Sequence, residues 1–129
     1  MTHPEPAAGG PPIAIVVGIG LRRNANADDI HAALRAAFAG YVIRGLATVE
    51  TRATHPALAA VAAGLGVPVS AFTAAQLSAV EVPNSSAHAL RTLGTASVAE
   101  AAAILAGSRL IVARRVLGGV VVAAAVAGP

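Results

Sequence analysis

Short runs of apolar, mostly β-branched residues recur along the chain and are separated by turns rich in glycine and proline. Runs of about four to eight such residues are typical of strands buried on both faces of a parallel sheet. Five segments have this pattern and are predicted strands: Ile13–Val17, Leu46–Thr51, Pro68–Phe72, Leu110–Ala113 and Val120–Val126.

Between the first two strands, the apolar residues change to a helical repeat. Ile30, Leu34 and Phe38 recur every four residues, which places them on one face of a helix. Asn26 lies directly before this repeat and is a favourable N-cap. The pattern therefore predicts a helix over Ala27–Phe38.

Capping signals mark the beginnings of further helices. A proline at the first helical position, and Ser or Thr three residues before Glu or Gln, are both typical of helix N-termini. Thr54 or His55 is the expected cap of the helix that starts at Pro56. These signals predict the following segments: Pro56 to about Ala63, a short helix opened by Thr73-x-x-Gln76, Val98–Ala106 opened by Ser97-x-x-Glu100, and one or two turns within Ser86–Leu93.

The order of these elements predicts a single-domain α/β fold with three layers. Strands alternate with helices, which favours a mostly parallel sheet covered by helices on both faces. The last two strands are joined by Arg114–Gly119, a connection short enough for a C-terminal antiparallel hairpin. We expect a flexible N-terminal tail over residues 1–12 and the folded domain over residues 13–129.

Composition excludes several functional classes. The chain has 129 residues, of which 56% are hydrophobic and 12% charged, so it is not a disordered protein. It contains no cysteine, which excludes disulfides, thiolate metal sites and a cysteine nucleophile. The histidines are dispersed without a ligand spacing, so no metal site and no cofactor is expected. Aromatic residues make up 2% and basic residues form no long run, which argues against a nucleic-acid partner.

The most apolar stretch, Leu110–Ala127, is not predicted to span a membrane. Arg114-Arg115 and Gly118-Gly119 interrupt it, and a transmembrane helix needs about 20 consecutive apolar residues. The start of the chain has neither a basic nor an apolar targeting region. We therefore expect a cytoplasmic protein without a membrane partner.

All nine basic residues are arginines, and several follow predicted strands. Ligands of open parallel sheets bind beyond the carboxyl ends of the strands. A single arginine there equally fits a solvated loop, whereas several together predict an anion-binding edge, because guanidinium groups pair well with carboxylates. The five arginines at these positions are Arg22, Arg23, Arg52, Arg114 and Arg115.

Sequence motifs for nucleotide binding and for catalysis are weak or absent. Gly18-x-Gly20 lacks the third glycine of a dinucleotide-binding loop because Arg23 stands there, and the absence of lysine excludes a P-loop. Glu50 and His55 are the candidates for acid–base catalysis, but neither has an obvious partner. The sequence therefore leaves the catalytic residues unknown.

Six short strings, taken together and in order, resemble one family. Their residues are Gly18–Arg23, Thr48–Arg52, Leu65–Pro68, Val82–Ser85, Gly94–Ala102 and Leu110–Arg114. Over about Ile13 to Ala127 the chain resembles the CobE / CbiG C-terminal domain family of cobalamin biosynthesis.

The resemblance implies work on the corrin-ring pathway, between uroporphyrinoid and cobyrinic acid. Two-domain relatives carry a preceding domain, open a ring lactone and release acetaldehyde. We expect this chain to be the stand-alone CobE form, for which binding or handing on of a tetrapyrrole intermediate is implied. The expected ligand-binding residues are Gly18, Gly20, Arg22, Arg23, Arg52, Asn84, Arg114 and Arg115.

The chain departs from the family pattern at five places. Leu21 replaces a cysteine, Asn24-Ala25 a Gly-Thr pair, Arg52 a lysine, His55 an acid, and Gly118-Gly119 a Gly-Asn pair.

Three hypotheses therefore stay open. The first is a carrier of a polycarboxylate precorrin or corrinoid. The second is a hydrolase or isomerase that uses Glu50, Arg52 and His55. The third is an interaction module that adds the edge of its last hairpin to a neighbouring pathway enzyme.

Overall fold

The strand β1 (Ala14–Gly20) lies at the centre of a five-stranded sheet with the order β3-β2-β1-β5-β4. The structure is a computed structural model and describes residues 12–80 and 95–128, with the side chains of residues 95–97 left out. The other strands are β2 (Val42–Val49), β3 (Val69–Phe72), β4 (Leu110–Leu117) and β5 (Val120–Val126). β1 pairs parallel with β2, and β2 with β3, whereas β5 is antiparallel to both β1 and β4.

Helices cover both faces of this sheet, as predicted. They are α1 (Ala27–Phe38), α2 (Pro56–Leu65), α3 (Ala74–Ser78) and α4 (Thr95–Ala106). Successive residues of β1 point to opposite faces. Ile15, Val17 and Ile19 pack into one core with α1 and α2, and Val16 packs into another with α3 and α4. The α/β class and the C-terminal antiparallel hairpin are therefore confirmed.

The helix caps predicted at Asn26 and Thr73 form hydrogen bonds. The Asn26 side chain accepts from the backbone N–H of Asp29 at 2.8 Å and caps α1. Thr73 and Gln76 form the expected reciprocal capping box at α3, with distances of 3.0 and 2.8 Å. α2 ends at Gly66, whose φ of 70° is the left-handed conformation that glycine adopts most easily. Within the described part of the chain, no helix is long and apolar enough to cross a membrane.

β1 and β2 differ from their predicted limits. β1 continues past Val17 because Gly18, Ile19 and Gly20 pair with β5. β2 ends at Val49, and the residues predicted to extend it form a 3-10 turn over Glu50–Arg52. Pairing of β2 with β3 also stops at Val49, which is opposite Phe72, the last residue of β3.

The turn predicted over Arg114–Gly119 is wrong. β4 continues to Leu117, and Gly118 and Gly119 alone make the connection, with φ values of 59° and 81°. Positive φ at both central residues is typical of the two-residue hairpin turn that matches the twist of a sheet. The two arginines suggested a polar loop, but β4 is an edge strand, and an edge strand tolerates polar side chains.

The helix start predicted at Val98 is also wrong, while the side chain of Ser97, and with it the predicted capping box, lies outside the described residues. α4 already begins at Thr95, so Ser97 lies in its first turn. Glu100 instead is fully buried, and its Oε2 atom accepts from the backbone N–H of Arg114 at 3.0 Å. The pairing of β4 with β5 shifts register around Arg114. The Glu100 carboxylate therefore accepts a hydrogen bond from a backbone N–H at an irregular position of the sheet. The predicted turns within Ser86–Leu93 and most of the predicted tail lie outside the described residues.

Gly18 lies where α4 comes closest to β1. A Cβ atom added there would overlap the carbonyl oxygen of Ala99 and lie 2.7 Å from the backbone nitrogen of Ala103. Both obstacles are backbone atoms, which cannot turn aside as a flexible side chain could. Gly18 is therefore required by helix packing.

Gly18→Ala should destabilise the protein by about 3 kcal/mol or more, because the added methyl group pushes α4 from the sheet. Urea unfolding followed by circular dichroism measures the loss. Gly64→Ala in α2 is a matched control, since nothing lies within 4 Å of an added Cβ there, and alanine should raise helix stability. Equal stability of the two variants would show that α4 is not packed as described.

Candidate functional site

Four chain segments meet where the parallel strands end, at the end of the sheet that we call its carboxyl edge. The carboxyl ends of β1, β2 and β3 lie there, because these strands are parallel. The β4–β5 turn lies at the same edge, because β5 begins there and runs antiparallel to β1. This is the edge at which the sequence predicted a ligand site.

A polar pocket of about 290 Å³ opens between the β1–α1 loop and the β4–β5 turn. The glycines at the turn have no side chains to fill it, and the N-terminus of α1 contributes backbone amides with a positive dipole. The lining also includes one cation and one anion, so it offers both donors and acceptors. Its residues are Arg22, Asn24, Ala25, Asn26, Asp29, Gly118, Gly119 and Val120.

The β1–α1 loop is held by side chains from β2 and the segment after it. The buried Thr48 hydroxyl donates to the carbonyl oxygen of Ile19 at 2.7 Å. The Nε atom of Arg52 donates to the carbonyl of Leu21 at 3.2 Å. These bonds fix the end of β1 and the first residue of the loop that carries Arg22, so the pocket wall is attached to the core of the sheet.

Three arginines at this edge have guanidinium N–H groups that make no hydrogen bond within the described part of the chain and can therefore bind a ligand. Arg22 and Arg23 are exposed, and Arg52 is half-buried and, among residues 12–80 and 95–128, is hydrogen-bonded only through Nε. Within the described residues, no carboxylate pairs with any of them. Such groups can accept a carboxylate in a bidentate manner.

The structure does not bring all predicted ligand-binding residues to this edge. Gly18 is buried beneath α4. Gly20, the last residue of β1, does reach this edge, where its backbone pairs with Val121. Arg115 is exposed within β4, opposite Val122, instead of in a loop beyond the strand. The half-buried Arg114 lies at the irregularity that Glu100 holds. Asn84 lies outside the described residues.

The two candidates for acid–base catalysis occupy different environments. Glu50 is exposed in the 3-10 turn after β2. His55 has both ring nitrogens engaged within the chain: Nδ1 with the backbone N–H of Ala57 at 3.1 Å, and Nε2 with the carbonyl oxygen of Arg23 at 2.8 Å. His55 is thus the cap of α2, one of the two residues predicted for that role.

Of the residues that line the pocket, only Arg22 is predicted from the sequence to bind a ligand. In the sequence, Asn24-Ala25 stands out only as a departure from the family pattern, Asn26 as a helix cap, and Gly118-Gly119 as part of a connection. The signal that could have identified these residues as part of the site is their position, because each lies beside the end of a strand or the start of a helix. Only the pairing of β5 with β1 brings the hairpin turn next to the start of α1.

These features define an α/β domain with a polar cleft at the carboxyl edge of its sheet, an arrangement suited to binding an anionic small molecule. The sequence model of a family described as "Cobalamin synthesis G C-terminus" matches residues 15–125. The chain therefore belongs to this family, and with it to the proteins of cobalamin biosynthesis. A sequence search of the curated proteins gave no match.

Solved structures agree with this assignment. The crystal structure of CobE, a protein from the cobalamin (vitamin B12) biosynthetic pathway, has a TM-score of 0.72 at 30% identity, covering 95% of this chain and 96% of that one. Cobalamin biosynthesis protein chiG from Agrobacterium tumefaciens str. C58 has a TM-score of 0.64 at 35% identity, covering 89% and 99%. A cobalamin biosynthesis protein G homologue from Sulfolobus solfataricus has a TM-score of 0.65 at 18% identity, covering 90% of this chain and 37% of that one, and shows the fold alone.

Removing the Glu100 carboxylate should disturb β4 locally. Glu100→Ala leaves the Arg114 N–H without this acceptor and opens a cavity, which costs about 2–4 kcal/mol. Amide hydrogen exchange at Arg114 should then become faster. Glu100→Gln keeps a carbonyl oxygen of the same reach, so the exchange should stay close to that of the parent protein. Equally fast exchange in both variants would mean that the charge, and not the acceptor, holds the strand.

Proposed function

We propose that this chain binds a polycarboxylate tetrapyrrole intermediate of the corrin pathway at the carboxyl edge of its sheet. The observation that carries the proposal is the position of Arg22. It lines a polar pocket together with the N-terminus of α1 and a turn of two glycines, and no carboxylate among the described residues pairs with it. Arg23 and Arg52 extend from the same and the neighbouring loop.

The chemistry of the ligand class suits this edge. Precorrins and corrinoids carry carboxylates around a flat ring, so several separated cations can engage one molecule at the same time. A pocket of about 290 Å³ is too small for a whole tetrapyrrole and fits one carboxylate arm. The ring itself then lies across the open edge of the sheet.

Binding without turnover is favoured over the enzyme hypothesis. A general base needs a nitrogen or oxygen that can reach the substrate proton. Both His55 nitrogens are used within the chain, and the carboxylate of Glu50 is exposed in a turn, where no described residue forms a hydrogen bond with it to orient it. The role proposed is therefore that of a carrier.

Absorbance titration of the purified protein with a late precorrin, followed by gel filtration, tests this function. We expect the pigment to co-elute with an unchanged spectrum. Arg22→Gln should weaken binding about tenfold, since one charge-assisted hydrogen-bonded contact is lost. Arg44→Gln is the matched control, because Arg44 is an exposed arginine near the beginning of β2, at the end of the sheet away from the pocket.

Each other outcome has a defined meaning. A spectrum that stays changed after the protein is removed would show turnover and favour the enzyme hypothesis. Equal weakening by both arginine variants would indicate nonspecific charge attraction. Absence of co-elution at low salt would overturn the proposal and favour the interaction module.

A further inference from the structure

We infer that His55 is a positioning residue, which holds the β1–α1 loop in the shape that presents Arg22 and Asn24 to the pocket. The inference rests on the proposed function, because it assigns His55 a part in preparing that same site. It concerns the conformation of the free protein, so it can be tested with and without a ligand.

The argument begins where the backbone pairing of β1 with β2 ends. The last paired residues are Gly18 and Ala47. Beyond them, Thr48 and Arg52 donate side-chain hydrogen bonds to the carbonyls of Ile19 and Leu21. Side chains thus continue the hydrogen bonding that the two diverging backbones no longer provide.

His55 makes the third and outermost of these bonds. Its Nε2 atom lies 2.8 Å from the carbonyl oxygen of Arg23. The carbonyls of Ile19, Leu21 and Arg23 each accept from a side chain of β2 or of the segment after it, so all three face that side. His55 thus extends a regular series of side-chain hydrogen bonds between the two segments.

The second ring nitrogen fixes the proton on the imidazole. Nδ1 accepts from the backbone N–H of Ala57 at 3.1 Å, so it carries no hydrogen. A neutral imidazole has one nitrogen that carries hydrogen and one that accepts. Nε2 therefore carries the hydrogen and donates to the carbonyl oxygen of Arg23. One ring therefore joins the N-terminus of α2 to the loop.

The consequence for the pocket follows from the neighbours of Arg23. Arg22 and Asn24 stand on either side of it in the chain, and both line the pocket. The carbonyl of Arg22 accepts from the N–H of Ala25 at 3.1 Å, so the loop backbone is held at successive residues. A loop ordered before binding loses less conformational entropy when the ligand arrives.

Two substitutions separate the two bonds of the ring. An asparagine matches the imidazole as far as Nδ1 and can cap α2, but it does not reach Arg23. A glutamine matches it as far as Nε2 and can donate to Arg23, but it caps poorly. His55→Asn should keep the thermal stability and weaken binding of a late precorrin about three- to tenfold, the effect of one lost hydrogen bond. His55→Gln should bind like the parent protein despite a lower Tm.

Proton-correlated nitrogen NMR of the free protein tests the inference independently of any ligand. We expect the His55 signals of an imidazole with its hydrogen on Nε2, and faster amide exchange at Ala25 in His55→Asn than in His55→Gln. A hydrogen on Nδ1, or equal exchange in both variants, would overturn the positioning role. If these NMR results hold while the parent protein binds no precorrin, the proposed function fails and the loop geometry stands. If binding falls in proportion to Tm in both variants, His55 is structural only.

Discussion

The close approach of α4 to β1 is the constraint on which the rest of the structure depends. It requires glycine at Gly18, where any side chain would meet the helix backbone. Small buried residues on α4, among them Ala99, Ala102 and Ala103, let the helix lie on β1, β2, β4 and β5 together. Alanine buries little apolar area by itself, so this face of the core is stabilised by close contact of backbones. The buried Glu100 can reach the backbone of β4 because the helix is so near.

The opposite face of the sheet is built differently, and that difference leaves room for a site. There, larger side chains of α1 and α2 pack on Ile15, Val17 and Ile19. Beyond these residues β1 and β2 diverge, and the chain between β1 and α1 crosses the edge of the sheet. Side chains from beyond β2 hold this crossing by its carbonyl groups, and the side chains of Arg22, Arg23 and Asn24 stay exposed. The same contacts that stabilise the loop thus account for a polar cleft on a largely apolar protein.

Strand and helix order, the fold class, the caps at Asn26 and Thr73 and the hairpin could all be predicted from the sequence, since each depends on residues close together in the chain. The limits of β1 and β4 could not, because they depend on pairing with β5. Arg114 and Arg115 show the physical reason. In sequence they resemble a polar turn, but an edge strand leaves one side open to water, so charged residues are tolerated within it. The role of Glu100 was missed for the same reason, as its partner lies in another element.

For the candidate site, the sequence by itself determined which residues follow the strands and that they are arginines, which already indicated an anionic ligand. It also carried the strings by which the chain resembles its family. Only the tertiary structure decided which arginines share a pocket. Arg22 does so because antiparallel pairing of β5 with β1 brings Gly118 and Gly119 to the start of α1. Likewise, His55 could be singled out from its place after β2, but its engagement on both nitrogens depends on the neighbouring loop. Local sequence sets local conformation, whereas contacts between distant segments exist only once the sheet is assembled.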